Sequence, residues 1–377
     1  MLQLLKVRRL FYGKATNTMK KSWKRARHKS VFKIKIKDKK WFAGVVFIVM
    51  IAVFTFSVRL YRTFLQGNIT QGEPTYLYLP HNCSYDQMVD SVKSTGRVKS
   101  VKRFKRAANF EDLDKEGTIS PGRYKIKAGM NNRELARAIR HGWQTPVRLT
   151  ISGNIRNMEK LASIIDRKIE SDSATTLLSL QDTCLIDSLG FNTATFPCMF
   201  IPNTYELYWT ATPKEVIVRM KKEYDKFWDE ERLDKAKAIG LTPVQTITLA
   251  SIVSEESNLK EEQPIIAGVY INRLHKGILL QADPTVKFAL KDPSIKRILN
   301  RHLRIDSPYN TYKYKGLPPG PIVIPQASTI DAVLNYTKHK YFYFCAKPTF
   351  DGSHNFAVNI EQHNRNAKAY QRAIRGL

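Results

Sequence analysis

The feature that most limits what this chain can become is an uninterrupted apolar run, "WFAGVVFIVMIAVFTFSV", from Trp41 to Val58. Its 18 residues carry no charge, which is close to the shortest helix that crosses a bilayer. Lys37, Lys39 and Lys40 stand before it and Arg59 after it. The more positive flank stays in the cytoplasm, so the N-terminus is expected inside and everything beyond Val58 outside, on a single pass. A cleaved signal peptide is one competing reading. The 40-residue polar lead, the length of the run and the lack of a small-x-small site after it count against that. A buried core helix is the other, and it would show a polar face.

The span decides how the charge is read. The chain has 377 residues and a formal charge of +29, about half of it in residues 1–40, where fifteen Lys or Arg face one acid, Asp38. Alone, such a tail would suggest nucleic acid. Beside a membrane span it holds topology and meets anionic headgroups, so no nucleic-acid partner is expected. Cys83, Cys184, Cys198 and Cys345 would sit in an oxidising compartment, and pairing of Cys184 with Cys198 stays open. No spacing resembles a zinc or haem site, so neither metal nor cofactor is expected.

Residues 60–75 read as a short polar stalk. "TYLYLP" then alternates like a strand. "SYDQMVDSVKS" places Met88, Val89 and Val92 at helical spacing behind a Ser84 cap. Ser120-Pro121-Gly122 is a turn and "RYKIK" a strand. Asn131 and Glu134 form a capping-box start for a helix with Leu135, Ala136 and Ile139 on one stripe and Gly142 as its stop. A strand–turn–helix unit is thus written twice, around 76–95 and 120–142. Such a module binds a polymer or acts as a compact spacer, and pattern does not choose between them. The basic cluster from Lys93 to Arg106 reads as a solvated face or as an attractor for an anionic polymer. A second region begins near residue 145 with a strand and a helix through Leu161, Ile164 and Ile165. "FIPNTYELYW", Phe200 to Trp209, reads as an ordered loop lining a cleft, and a Lys/Glu-rich helix over 213–238 ends near Gly240.

The segment with most chemistry is "ASIVSEESN", Ala250 to Asn258. Thr242, Pro243 and Gln245 give its helix a capped start. Adjacent helical residues lie about 100° apart, so Glu255 and Glu256 occupy different faces. Glu256 follows the apolar stripe of Leu249, Ile252 and Val253, whereas Glu255 follows Thr248 and Ser251 and is expected toward water. A carboxyl group among apolar neighbours keeps its proton to higher pH, as a general acid requires. A buried glutamate tied to an arginine such as Arg273 is the equal alternative on spacing alone. "PIIAGVYINRLHKG" reads as a further helix. "LQADPTV" and "SPYNTYKYKGLPPGPI" follow, and they offer sugar-binding groups at Gln281, Asp283, Asn310 and Tyr312. Near the end, "DGSHNF" puts His354 and Phe356 on one side of a strand.

The segments "LASIVSEES", "AGVYINRL", "LQADPTV", "SPYNTYKYKGLPPGPI" and "HNF", in this order, resemble the endolytic murein transglycosylases of the MltG/YceG-like family. The likeness covers roughly residues 75–377. Three positions depart from the family's usual pattern: Ser254 stands where a second glutamate is frequent, Asn203 where an aspartate is frequent, and "FPCMF" lacks an acid. The resemblance implies an α+β fold class with a single N-terminal transmembrane helix, a small LysM-like α/β module and a mixed α+β catalytic domain. The expected divisions are a basic cytoplasmic tail at 1–40, the span at 41–59, stalk and module at 60–145, and the catalytic domain at 146–377. It implies an inner-membrane protein whose catalytic domain faces the periplasm. Its partners would be peptidoglycan glycan strands, the lipid bilayer and cell-wall synthases. Glu256 would be the catalytic acid/base. Substrate would be held by Asn272, Arg273, Gln281, Asp283, Thr285, Tyr309, Asn310, Thr311, Tyr312, Gly316, Leu317, Pro318, Pro319, His354 and Phe356. The implied reaction ends nascent strands in 1,6-anhydro-muramic acid without water and so terminates their elongation. A lysozyme-type hydrolase and a non-catalytic glycan-binding anchor for synthases are the alternatives.

Overall fold

The computed structural model describes residues 39–376 apart from 71, 153, 154, 293 and 296. Of the basic tail, residues 1–38 lie outside the described residues. The chain forms two compact units, one up to Gln66 and one from Gly67 onward.

In the first unit, helix α1 (Lys39–Leu60) has 22 residues and runs into a π-helical turn, Tyr61–Leu65. At 1.5 Å per residue α1 is about 33 Å long, matching a hydrocarbon layer of about 30 Å. Trp41, Phe47, Phe54 and Phe56 stand exposed around it, so no polar face exists. It is the one helix among the described residues long and apolar enough to cross a membrane.

The second unit contains two hydrophobic cores. The smaller is built from β1 (Thr75–Leu79), α2 (Tyr85–Ser94), α3 (Val101–Phe110), β2 (Gly122–Ile126) and α4 (Asn132–Arg140). β1 and β2 pair antiparallel, Leu77 opposite Tyr124. The expected capping box at Asn131 with Glu134 forms, and the expected Ser84 cap proves to be a full box with Gln87. Met88, Val89 and Val92 of α2 meet Leu135, Ala136 and Ile139 of α4 in the core. Two expectations change here. The polar stalk does not extend to residue 75, because Gly67 bridges to Asn131 and Ile69 to Val98, which draws this strip into the fold. The basic cluster is not only a solvated face. Its second half forms α3, which turns Phe104, Ala107 and Ala108 inward while its lysines and arginines line the outer side.

The larger core gathers β3 (Val147–Ile151), α5 (Met158–Ile165), α6 (Ser173–Leu180), α7 (Thr183–Ser188), β4 (Asn203–Leu207), α8 (Pro213–Phe227), α9 (Glu230–Ile239), α10 (Pro243–Glu256), α11 (Gln263–His275), α12 (Asp283–Leu290) and α13 (Ala327–Leu334). The hairpin β5 (Tyr343–Ala346) and β6 (His354–Ala357) and the C-terminal α14 (Ile360–Arg375) complete the chain. The segment expected as a loop at 200–209 holds strand β4, paired antiparallel with β3. The single helix expected over 213–238 is two. Trp228 turns into the core and Asp229 caps a new helix by accepting from the Arg232 amide. All four cysteines are unpaired, with Cys198 buried and Cys184 exposed.

Helix α10 sits at the centre, packed against α9, α11, α12 and α13. It is buried on every side from Thr246 to Val253. Its hydroxyls make this tolerable by bonding to the helix's own carbonyls: Thr246 to Thr242, Thr248 to Val244, Ser251 to Thr248 and Ser254 to Ser251. Ser251 Oγ also accepts the Ile322 amide at 3.0 Å, which ties the end of the Pro-rich segment to the helix. Gly320 in that segment lies against Ala194, and a Cβ there would sit 1.9 Å from the Ala194 carbonyl oxygen.

Candidate active site

Helix α10 ends at Glu256, and Ser257 leaves in an extended conformation. Glu255 and Glu256 therefore stand on the last turn, where the helix dipole already disfavours negative charge. Both are half-buried, but they have different partners. Glu256 opens into a cleft of ≈ 320 Å³ shared with Tyr270, Arg273, Leu280, Gln281 and Asp283. The remaining wall comes from Tyr312, from Tyr343 and Phe344 of β5, and from Ile360 and His363 of α14. Glu255 turns away to an ion pair with Arg156, its side chain only 12% exposed. The expectation that Glu255 faces water is thus corrected. The polar stripe it continues is itself buried, because Thr248 and Ser251 spend their hydroxyls on backbone carbonyls.

The Tyr270 hydroxyl donates to Glu256 Oε1 at 2.8 Å. Desolvation pushes the Glu256 carboxyl up to about 7. The Tyr270 bond partly opposes this, and the nearby charges of Asp283 and Glu255 add to it. Desolvation also raises Tyr270 well above its ordinary value, followed by the proximity of Glu256, so the phenol keeps its proton and remains a donor. A carboxyl group that is half protonated near neutrality and bound through one oxygen has its other oxygen free to pass a proton.

Arg273 is not the partner of Glu256. Its Nε donates to the Phe342 carbonyl at 2.6 Å, and its Nη1 to the Leu279 and Leu280 carbonyls at 2.9 Å each. The guanidinium staples the 279–281 turn to the approach of β5, and the alternative of a buried Glu–Arg pair does not form. Gln281, at the end of that turn, has φ of +53°. This left-handed conformation is unusual outside glycine and is held by the Gln281 backbone N–H, which donates to the Thr311 carbonyl at 3.1 Å. Asp283 opens α12, and its Oδ1 accepts the Tyr312 hydroxyl at 2.6 Å.

Of the expected site residues, Glu256, Arg273, Gln281, Asp283 and Tyr312 come together in the cleft. Asn272, Thr285, Asn310 and Thr311 do not line it, because their polar atoms are used within the fold. The Asn272 amide donates to the His339 and Tyr341 carbonyls, and the Asn310 amide to Leu303 and Ile305. Thr285 and Thr311 join their hydroxyls at 2.9 Å, and Thr311 also accepts the Ala282 amide. These bonds shape the loop that presents Gln281, Asp283 and Tyr312. Tyr309 packs on Phe288, and Gly316, Leu317, Pro318 and Pro319 form the following turn outside the lining. His354 is clamped by Glu262 through Nδ1 at 2.7 Å and its backbone amide at 2.9 Å. Phe356 stacks on Tyr341 at 5.6 Å. Both lie behind Phe344, which contacts each of their rings.

Sequence reading did not find Tyr270, Tyr343, Phe344 or His363. Tyr270 lies fourteen residues beyond Glu256 on a different helix. Its one legible signal was its place three residues before Arg273, on the same helical face. Among the described residues no group of three or more His, Cys, Asp or Glu is arranged to hold a metal ion.

The sequence profile of the YceG-like family matches residues 77–369, well over half of the chain. The chain is a member of the YceG-like family. Among its curated relatives, an endolytic murein transglycosylase of Bacillus subtilis is 36% identical over 172 residues, 45% of this chain and 46% of that protein. A Streptococcus pneumoniae protein of the same name is 26% identical over 318 residues, 76% of this chain and 57% of that one. This YceG-like chain thus spans about half the length of the curated relatives it matches. A crystal structure of a YceG-like protein from Listeria monocytogenes aligns with a TM-score of 0.51 at 24% identity, covering 78% of this chain and 98% of that one. That likeness concerns the fold.

Proposed function

We propose that this protein is a membrane-anchored endolytic peptidoglycan transglycosylase. The observation that carries the reading is Glu256. Its carboxyl is raised to about 7 and oriented by Tyr270, and it opens on a cleft with polar and aromatic walls. The names of the curated relatives point to the same chemistry.

The step balances with one acid/base. Protonated Glu256 donates to the glycosidic oxygen between N-acetylmuramic acid and N-acetylglucosamine as the bond from that oxygen to the muramic anomeric carbon breaks. The muramic 6-hydroxyl forms a new bond to the same carbon, and its proton returns to Glu256. The products are a free 4-hydroxyl and a 1,6-anhydro end, with no water consumed. Because the nucleophile belongs to the substrate, the two flanking carboxylates of ordinary glycosidases are not required. Asp283, held by Tyr312, orients substrate in this scheme. Cutting nascent strands in this way terminates their elongation. Helix α1 anchors the chain in the cytoplasmic membrane, with the tail inside and the cleft outside. Within the stalk and module at 60–145, we read the module from β1 to α4 as LysM-like, a reading supported by the strand–helix–helix–strand order of β1, α2, α3 and β2.

Asp283 favours one second reading, a lysozyme-type hydrolase in which it activates water. Mass spectrometry of digested peptidoglycan separates the two, because anhydro ends are lighter than reducing ends by one water. Products carrying only reducing ends would overturn the transglycosylase reading. A non-catalytic anchor predicts instead that Glu256→Gln leaves cellular function intact.

A further inference from the structure

Helix α14 enters the cleft with two residues, Ile360 and His363. The His363 ring stacks on Tyr343, with centroids 5.4 Å apart and planes 29° apart. The Arg273 guanidinium lies 5.0 Å from the centroid of the same tyrosine ring. His363 Nδ1 is buried and has no hydrogen-bond partner among the described residues. A buried polar nitrogen left unmatched is unfavourable, and such atoms in native folds call for an explanation. Here the ring borders a cleft, so the explanation is a partner that arrives from outside. A half-turn about Cβ–Cγ keeps the ring plane, and with it the stack, while exchanging Nδ1 with Cδ2. The nitrogen therefore has a second position that keeps the stack on Tyr343. Burial and then the Arg273 charge hold His363 below its ordinary pKa, so the imidazole is neutral and offers a hydrogen bond without a charge. The neighbouring guanidinium has its Nε and Nη1 hydrogens on carbonyl oxygens, and the cleft also holds the carboxyl groups of Glu256 and Asp283, which disfavours an anion.

We propose that His363 is a substrate-contact residue whose ring nitrogen hydrogen-bonds an uncharged polar group, a hydroxyl or acetamido, of a sugar ring in the cleft. The inference rests on the glycan reading of the same site. It extends that reading by making the C-terminal helix part of the binding wall.

Two substitutions separate the ring's roles. His363→Phe keeps an aromatic ring on Tyr343 and removes the nitrogen. His363→Asn drops the ring and keeps a polar group near the Nδ1 position. Both are made in full-length protein carrying Glu256→Gln, so that binding is read without cleavage. The probe is a tetrasaccharide of alternating N-acetylglucosamine and N-acetylmuramic acid, titrated calorimetrically in detergent. The expected result is binding weakened about threefold to tenfold by His363→Phe, as loss of one neutral hydrogen bond implies. Binding should largely recover in His363→Asn. The melting temperature of His363→Phe should be unchanged or higher, since an unmatched buried nitrogen has gone. Equal affinity in His363→Phe and its parent overturns the inference while leaving the glycan reading intact. A lower melting temperature in His363→Phe that Asn restores assigns the nitrogen a structural role and also overturns it. A parent that binds no tetrasaccharide overturns both.

Discussion

Replacing Glu256 with Gln should stabilise the protein at alkaline pH while abolishing cleavage. The ordinary carboxyl value is 4.5 and burial lifts Glu256 to about 7. The folded state therefore holds this proton over a range where the unfolded chain has released it. Stability contributed by the site is present below the unfolded value, falls as pH rises from about 4.5, and is lost once pH passes about 7. The full difference corresponds to roughly 3 kcal/mol at 1.36 kcal/mol per pH unit. The carboxyl keeps some contact with solvent, so about 1–3 kcal/mol is the working range. Glutamine has nearly the same shape, keeps an oxygen for Tyr270, and carries no charge at any pH. Thermal melts of both proteins in one detergent at pH 5 and pH 8 test this. The curves should nearly coincide at pH 5, and the glutamine variant should melt a few degrees higher at pH 8. An equal offset at both values, or a more stable glutamate at pH 8, would refute the claim that Glu256 is a desolvated acid.

Other outcomes follow from the same geometry. Tyr270→Phe removes the bond that favours the charged carboxylate, so the loss of activity on the alkaline side should move up by about one pH unit, read from the pH profile of kcat/KM. Glu255→Gln breaks an ion pair whose Arg156 side is open to solvent, 43% exposed; cleavage should largely survive and stability should drop by at most about 1 kcal/mol by chemical denaturation. Loss of activity as complete as that of Glu256→Gln would remove the distinction between the neighbours. Gly320→Ala forces a Cβ to within 1.9 Å of the Ala194 carbonyl and should lower stability by at least about 2 kcal/mol in the same assay. A periplasm-active reporter fused after Leu377 should function, and silence would argue against the proposed orientation.

Helix starts and the apolar span were legible because they depend on neighbours in sequence. Thr242 with Gln245 and Asn131 with Glu134 each close a capping box over three residues, Ser84 caps its helix, and all three form. The break at Trp228 was not legible, because it depends on whether a tryptophan finds room in a core built from distant segments. Face counting separated Glu256 from Glu255, but it equated a polar stripe with solvent. Thr248 and Ser251 show why that fails: a hydroxyl satisfied by its own helix can be buried as easily as a methyl group.

The same division runs through the site. The sequence alone determined that one helix can span a membrane, that α10 starts at Thr242, and that Glu256 rather than Glu255 follows the apolar stripe. Only the tertiary structure decided what Glu256 touches. Tyr270 comes from α11, Tyr312 from the loop that Asn310 and Thr311 fold, and His363 from the last helix. A raised pKa and an unmatched nitrogen are properties of an enclosure, and an enclosure is made by segments that sequence order keeps far apart. Asn310 and Thr311 illustrate the converse. Residue types suited to binding sugar are equally suited to holding a loop, and only the partners within reach decide between those uses.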